Sequence, residues 1–147
     1  MRYVIIAITL LGYAGCAGAT SEETIRGLWF TKGERARIEV TPCGERVCGH
    51  IVWLKQPNGD DGKPLVDSLN ERDDERGRPI LGLPVLVDLN AASDGSFVGE
   101  VYDPERGEYF DVTVRLNGSP DSLAVEGCGL GGLICETEVW RRAPPAP

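Results

Sequence analysis

Residues 99–116, GEVYDPERGEYFDVTVRL, contain the pattern that decides the fold of this chain. From Phe110 to Leu116, apolar residues alternate with polar ones, which is the period of a half-buried antiparallel strand. The segment 103–107, DPERG, combines a proline that fixes φ with a glycine that tolerates positive φ, as turns require. The stretch therefore predicts a β-hairpin.

The same unit recurs before and after this hairpin, with turn residues between the strand-like segments. Consecutive hairpins favour a meander, and closing a meander on itself removes the exposed strand edges. We therefore predict an all-β fold, an eight-stranded antiparallel up-and-down barrel, with Ile51 and Trp53 on one face of the third strand. The predicted strands begin at Gly27 and cover residues 27–30, 35–40, 47–54, 83–90, 97–102, 110–116, 123–127 and 133–141.

One long segment, residues 55–82, interrupts the strand pattern and is rich in glycine and proline. Insertions of this length in a compact domain are usually functional or mobile. Ser68 and Glu71 fit a capping box, so we expect a short helix of about two turns over residues 69–76. We interpret the segment as a loop over one mouth of the barrel.

The N-terminus has the features of an export signal. Arg2 precedes a short apolar run, and Ala17-Gly18-Ala19 is typical of a signal-peptidase site, so residues 1–19 are predicted to be a signal peptide. The alternative is a lipoprotein signal in which Cys16 carries a lipid anchor. A single domain over residues 20–142 and a disordered tail over residues 143–147 follow. We expect a periplasmic or secreted protein without a membrane span, or a membrane-anchored lipoprotein.

The remaining cysteines support export. Cys43, Cys48, Cys128 and Cys135 form an even set, which in a small exported domain indicates disulfides. Four cysteines allow three connectivities, and the short spacings favour Cys43 with Cys48 and Cys128 with Cys135. These spacings do not resemble a zinc site, and the acidic loop fails the calcium-loop pattern, so we predict no metal and no cofactor.

Charge excludes one class of partner. The chain carries 15 Lys and Arg against 23 Asp and Glu, a formal net charge of −8, which repels nucleic acid. No nucleophile motif is present and the single histidine, His50, lies within a predicted strand, so we expect no enzymatic activity. Aromatic and polar residues near the long loop are the better candidates for contact with a small, partly apolar ligand. They are Trp53, Asp67, Asn70, Arg76, Arg78, Tyr102, Asp103 and Tyr109.

Two resemblances extend this interpretation. Gly27-x-Trp29 on the first strand, with Arg141 and Arg142 beside Trp140 on the last, resembles the lipocalin signature. In lipocalins the tryptophan closes the barrel floor and a basic residue of the last strand packs across it. The resemblance implies a floor built from Gly27, Trp29 and Arg141.

The wider resemblance covers nearly all of the chain after the signal. The chain resembles a family of small exported bacterial proteins known only as a domain of unknown function. The resemblance implies a lipocalin-like barrel in the bacterial envelope and no known reaction. The matching pieces are Gly27-x-Trp29, Cys43-Gly44, Val47-Cys48-Gly49, Ile51-Val52-Trp53-Leu54, Asp67-x-x-Asn70, Arg78-Pro79, Gly82-Leu83, Tyr102-Asp103-Pro104, Gly107, Tyr109, Gly127-Cys128 and Trp140.

Three functions follow as hypotheses. The first is an exported protein that binds a small ligand in the barrel. The second is an envelope structural or interaction protein whose barrel is filled by its own side chains. The third, which the sequence favours least, is an enzyme. A solvent-accessible internal cavity distinguishes the first from the second. The sequence does not indicate the oligomeric state.

Overall fold

The computed structural model describes residues 24–145, and these form a closed eight-stranded barrel. Each strand pairs antiparallel with the next, and the last pairs with the first, so the predicted up-and-down barrel is confirmed. The predicted signal peptide of residues 1–19, including Cys16, lies outside the described residues. The strands are β1 Gly27–Phe30, β2 Ala36–Cys43, β3 Arg46–Leu54, β4 Pro84–Ala91, β5 Phe97–Asp103, β6 Glu108–Leu116, β7 Ser122–Gly129 and β8 Ile134–Arg142.

The alternation in the sequence becomes an inward and an outward face. In β6, Val112 and Val114 are buried inside the barrel while Asp111 and Arg115 are exposed. The turn before β6 closes as predicted, since the Gly107 N–H donates to the Asp103 carbonyl at 2.7 Å. Burial of the inward set in a single core cluster is the main driving force for the fold.

A β-bulge corrects one predicted face. Arg37 of β2 pairs with Trp53 of β3, but Ile38 pairs with Ile51, so Val52 is an extra residue in β3. An extra residue inverts the faces beyond it. Ile51 therefore faces the core, and Trp53 lies on the outer surface, contrary to our prediction that the two share a face.

Both predicted disulfides are present. Cys43 bonds to Cys48 across the β2–β3 turn, and Cys128 bonds to Cys135 across the β7–β8 connection. Each bond joins two adjacent strands near the end of a hairpin, so it restricts fraying where the backbone ladder stops.

The long loop contains no α-helix over residues 69–76, and the expected short helix is reduced to a single 3₁₀ turn, Asp73–Glu75. The physical reason is that side chains bind the local backbone groups. The Asn70 side-chain oxygen accepts the Arg72 N–H at 2.9 Å, and Arg76 Nε donates to the Asn70 carbonyl at 2.7 Å. Side-chain bonds of this kind compete with a helical ladder.

One end of the barrel is closed around Trp29, which is fully buried and donates its indole N–H to the Ile25 carbonyl at 2.8 Å. The basic residue that packs on Trp29 is Arg142, with its guanidinium carbon 4.1 Å from the ring centroid. Our assignment of this role to Arg141 is wrong by one residue. Arg141 lies on the outer face, over the Phe30 ring, and pairs with Glu34.

Arg142 also ties the chain ends to the floor. It donates to the carbonyls of Arg26, Thr24 and Pro120 at 2.7–3.0 Å. Gly27 makes this approach close, because a Cβ there would lie 3.2 Å from an Arg142 nitrogen. The predicted tail begins too early, since Ala143 is buried and its N–H donates to the Leu28 carbonyl at 2.8 Å.

We expect Arg142→Met to destabilise the protein by about 2–4 kcal/mol, because it removes charge-assisted hydrogen bonds and a cation–π contact together. Arg141→Met is the matched control, and it removes only an exposed ion pair and a surface ring contact, so it should cost less than about 1 kcal/mol. Urea unfolding with both disulfides intact measures the two values. Equal costs would contradict the assignment of the floor residue.

Candidate functional site

The barrel opens at the end opposite the Trp29 floor. Four connections meet there, residues 31–35, 55–83, 104–107 and 130–133. A cavity of about 1260 Å³ extends from this mouth into the barrel. Its inner wall is largely apolar and includes Ile38, Ile51, Val85, Val101, Phe110, Val125 and Trp140.

Strand β8 contributes polar groups to the inner wall. Glu138 pairs with the inward-facing Val125 of β7, and both line the cavity. The Glu138 carboxylate accepts a hydrogen bond from the Trp140 indole at 3.0 Å. Opposite Glu136, β7 carries Gly127, so no side chain from β7 fills the barrel at that level.

The rim of the mouth carries both ion pairs and exposed apolar side chains. Arg106 pairs with Glu136 at 3.2 Å, and Arg35 pairs with Glu105 at 2.7 Å. The connection between β7 and β8, braced by the Cys128–Cys135 disulfide, exposes Leu130, Leu133 and Ile134. We call these three residues the apolar tip. Leu130 and Ile134 also line the cavity, so apolar surface continues from the interior to the outside.

A buried polar network fixes the long loop to the outer wall of β5. Asp67 is completely buried and accepts hydrogen bonds from the Tyr102 hydroxyl at 2.7 Å, Asn70 Nδ2 at 2.8 Å and Arg78 Nε at 2.9 Å. A second Arg78 nitrogen lies 2.9 Å from the same carboxylate as an ion pair, and Glu75 pairs with Arg78 at 2.9 Å. The Asp67 charge is thus compensated within the network.

The hydroxyl of Tyr102 is the point where the loop meets the barrel. It donates to Asp67 and accepts from Asn70 Nδ2 at 3.0 Å. Desolvation, with the Asp67 carboxylate beside the hydroxyl, raises the pKa of Tyr102 to about 12. The ring packs against Tyr109 with 4.7 Å between centroids.

Gly107 lets the loop backbone lie directly on the β5–β6 turn. Its φ is +73°, and a Cβ on it would lie 1.9 Å from the Leu69 carbonyl oxygen. No side chain fits in this contact, so the loop and the turn are packed at backbone distance. A smaller surface cavity of about 430 Å³ lies beside this contact, between Arg72 and Tyr109.

The structure divides the predicted ligand-binding residues into separate groups. Asp67, Asn70, Arg78 and Tyr102 belong to the buried network, and Tyr109 packs on it with its ring tilted by 45° from that of Tyr102. Both tyrosines also border the cavity. Arg76 braces the loop backbone, while Asp103 accepts the Glu105 N–H at 2.9 Å in the turn and borders the cavity. Trp53 is not near them and instead meets Arg37 and Phe30 outside the barrel.

The residues that sequence reasoning missed are Glu138, Phe110 and Trp140, which line the cavity itself. The feature of the sequence that could have identified Glu138 is the alternation of inward and outward positions along β8. Ile134, Glu136, Glu138 and Trp140 lie at alternate positions of one strand, and the buried Trp140 marks that set as inward. A carboxylate at an inward position is unusual enough to mark a site.

The single histidine is not part of the cavity. His50 follows the inward Gly49 and precedes the inward Ile51, so it lies on the outer face of β3.

Within residues 24–145, no helix has the length and apolar character needed to cross a bilayer.

The fold and the cavity define a class, a lipocalin-like barrel with one open mouth. The solved structure of protein HP1028 from Helicobacter pylori, described as belonging to the lipocalin family, is similar with a TM-score of 0.67 and 20% identity. The match covers 82% of this chain and 84% of that one. A search of curated protein sequences finds no significant match.

The family follows from the sequence itself. Residues 27–142 match the model of the family described as uncharacterized protein conserved in bacteria (DUF2147), and the chain belongs to this family. The match spans all eight strands from Gly27 to Arg142. Both predicted resemblances, to the lipocalin-like barrel and to a bacterial family of unknown function, are confirmed.

We expect Gly107→Ala to detach the long loop, since its Cβ would overlap the Leu69 carbonyl oxygen. Gly118→Ala is the matched control, because Gly118 has a φ of +76° and open space around its Cβ position. The control should cost only the left-handed backbone penalty of about 1–2 kcal/mol. Gly107→Ala should cost more and should accelerate tryptic cleavage after Arg72 and Arg76. Equal cleavage rates in the two variants would contradict the close loop contact.

The raised pKa of Tyr102 predicts a pH dependence. A tyrosine whose pKa is raised on folding contributes stability that is present below its ordinary value of 10 and is lost as pH rises through about 12. Wild type should therefore lose about 2 kcal/mol more than Tyr102→Phe over this window. The free energy of unfolding, determined at each pH, measures this loss of stability. Tyr109→Phe should behave like wild type, and parallel curves for Tyr102→Phe and wild type would contradict the network.

Proposed function

We propose that this protein binds a small, partly apolar ligand inside its barrel. The observation that carries the proposal is the open cavity of about 1260 Å³, which is lined by apolar side chains in the barrel interior and by charged side chains mainly at the mouth. Ligand sites in proteins are typically concave and apolar, with a small number of placed polar groups. Eight-stranded barrels have an interior of the size that accommodates one small ligand.

The cavity also weighs against the alternative of a barrel filled by its own side chains. Gly127 on the inner wall of β7 lines the cavity without a side chain, and a Cβ there would lie 3.5 Å from the nearest side chain, that of Val101. At Gly129 the space is taken by the Phe110 ring, which lies 3.3 Å from where a Cβ would be. A filled barrel needs a bulky residue at a position such as Gly127, whereas the glycine leaves room toward the mouth.

The long loop supports the proposal through rigidity. Lys55, Gln56, Leu65 and Val66 of the loop line the mouth, while Asp67 and its partners hold the loop against β5. A pre-formed rim reduces the ordering that binding requires, which favours affinity. Of the residues we predicted to touch the ligand, Asp67, Asn70, Arg76 and Arg78 serve it indirectly in this proposal, by fixing the rim. Tyr102, Asp103 and Tyr109 border the cavity itself.

We infer that the protein acts outside the cytosol, in the periplasm or after secretion, as a binding protein without chemistry of its own. The two disulfides support an oxidising compartment. The sequence before the barrel supports export, with the lipid anchor at Cys16 as the alternative mode. The position of His50 on the outer wall supports binding over acid–base catalysis.

A neutral fluorescent probe, N-phenyl-naphthylamine, tests the proposal on the mature protein. We expect a saturable rise in fluorescence with one probe per chain. Gly127→Leu, which places a side chain in the cavity, should weaken binding by at least about tenfold, equivalent to about 1.4 kcal/mol. Thr137→Leu is the matched control, because Thr137 lies on the exposed outer face of β8 and bonds to Glu126 at 3.2 Å.

Two outcomes would contradict the proposal. Failure of the wild-type protein to bind the probe, or equal binding by wild type and Gly127→Leu, would show that the cavity does not accept an apolar guest. Unchanged circular dichroism in both variants ensures that loss of binding reports the cavity and not the fold.

A further inference from the structure

Glu138 is a carboxylate on the inner wall of the barrel with no cationic partner. Among residues 24–145, its one bonding partner is the Trp140 indole, which donates at 3.0 Å. The other inward glutamate of β8, Glu136, is paired with Arg106 at 3.2 Å. A carboxylate facing an apolar cavity with a single donor retains capacity for further hydrogen bonds.

Most of the charged side chains around the cavity are acidic, as Glu138 is. Its lining includes six carboxylates against three basic side chains, Arg35, Lys55 and Arg106. Both arginines are already bound to glutamates, at 2.7 Å for Arg35 and 3.2 Å for Arg106. Such a surface attracts a cation to the mouth and repels an anion of otherwise equal shape.

We propose that the ligand is a cationic amphiphile, an apolar body with a protonated amine that binds Glu138. This inference rests on the proposed binding function and specifies the ligand class of the same site. A protonated amine supplies the donors that the Glu138 carboxylate lacks, in an interior where charge-assisted hydrogen bonds are strong. A fatty acid would bring a second carboxylate to Glu138.

The strand register also gives the orientation of the ligand. Glu138 lies two residues from the buried Trp140 and four from Ile134 of the apolar tip. At a rise of roughly 3.3 Å per residue, the distance from Glu138 to the tip is about 13 Å. The amine therefore enters first, and the apolar body extends along the wall past Phe110 toward Leu130 and Ile134.

A matched series of straight-chain compounds tests the proposal. Decylamine, decanol and decanoate, each below its aggregation concentration, compete for the bound naphthylamine probe at neutral pH. We expect decylamine to displace the probe at a concentration at least about tenfold lower than decanol, and decanoate to be the weakest. The wild-type ranking alone tests the ligand class.

Glu138→Gln assigns the effect to this residue, and its amide oxygen can still accept the Trp140 hydrogen bond. We expect it to lose the preference for decylamine while its affinity for decanol stays within about twofold. The control is Glu126→Gln, the same charge change on the adjacent strand, where Glu126 bonds to Thr137 outside the cavity. It should keep the preference.

These experiments distinguish failure of the proposed function from failure of the proposed ligand class. If neither the probe nor any of the three compounds binds, the proposed function fails, and this inference fails with it. If the probe and decanol bind but decylamine has no advantage, or decanoate binds best, only the ligand class is overturned. A preference for decylamine that survives in Glu138→Gln would overturn the assignment to Glu138.

Discussion

Closure of the sheet between its first and last strands is the constraint on which the rest of the structure depends. β1 and β8 share only two register pairs, Trp29 with Arg142 and Phe30 with Arg141. The side chain of Arg142 reinforces this short seam by bonding three carbonyls outside the ladder and covering Trp29. A closed sheet has no free edge, and its inward residues enclose a volume instead of a flat core.

The consequence of closure is an interior with two different ends. At the floor, the interior is occupied by large buried side chains such as Trp29, Leu123 and Phe97. Toward the mouth, glycines on β7 and the outward turn of Trp53 leave space. The long loop borders this space without filling it, because Asp67 holds it on the outer wall through Tyr102, while Arg78 of the same loop compensates the Asp67 charge. A buried carboxylate needs such partners, so the loop has little freedom to leave the wall.

The local parts of this architecture were predictable from the sequence, and the non-local parts were not. The eight strands and both disulfides depend on patterns within a hairpin, such as the alternation after Phe110 and the short cysteine spacings. Trp53 was misplaced because a bulge at Val52 inverts the face, and nothing in the local alternation marks the extra residue. The helix over residues 69–76 was wrong because Asn70 bonds its neighbours and distant Tyr102. The residues around Asp67 were grouped as ligand contacts, whereas the structure joins them in a hydrogen-bond network on the outer wall, which depends on tertiary packing.

The same reasoning explains why the residues of the proposed ligand site differ from those predicted on the loop. We predicted polar residues of the loop as ligand contacts, but their side chains form hydrogen bonds within the Asp67 network instead. Glu138 is less conspicuous in the sequence, and its significance depends on closure, which turns one face of β8 toward an apolar cavity. In the proposed function, the face that a residue occupies therefore matters more than its identity.

The most direct test of an occupied cavity is native mass spectrometry of the mature protein, purified from its own cells before and after organic extraction. We predict a reproducible additional mass that disappears on extraction. The polypeptide itself should be four hydrogens lighter than the reduced chain, as two disulfides require. A bare polypeptide in every preparation, with no mass gained when apolar amines are added back, would contradict the account of this barrel as a ligand-binding protein.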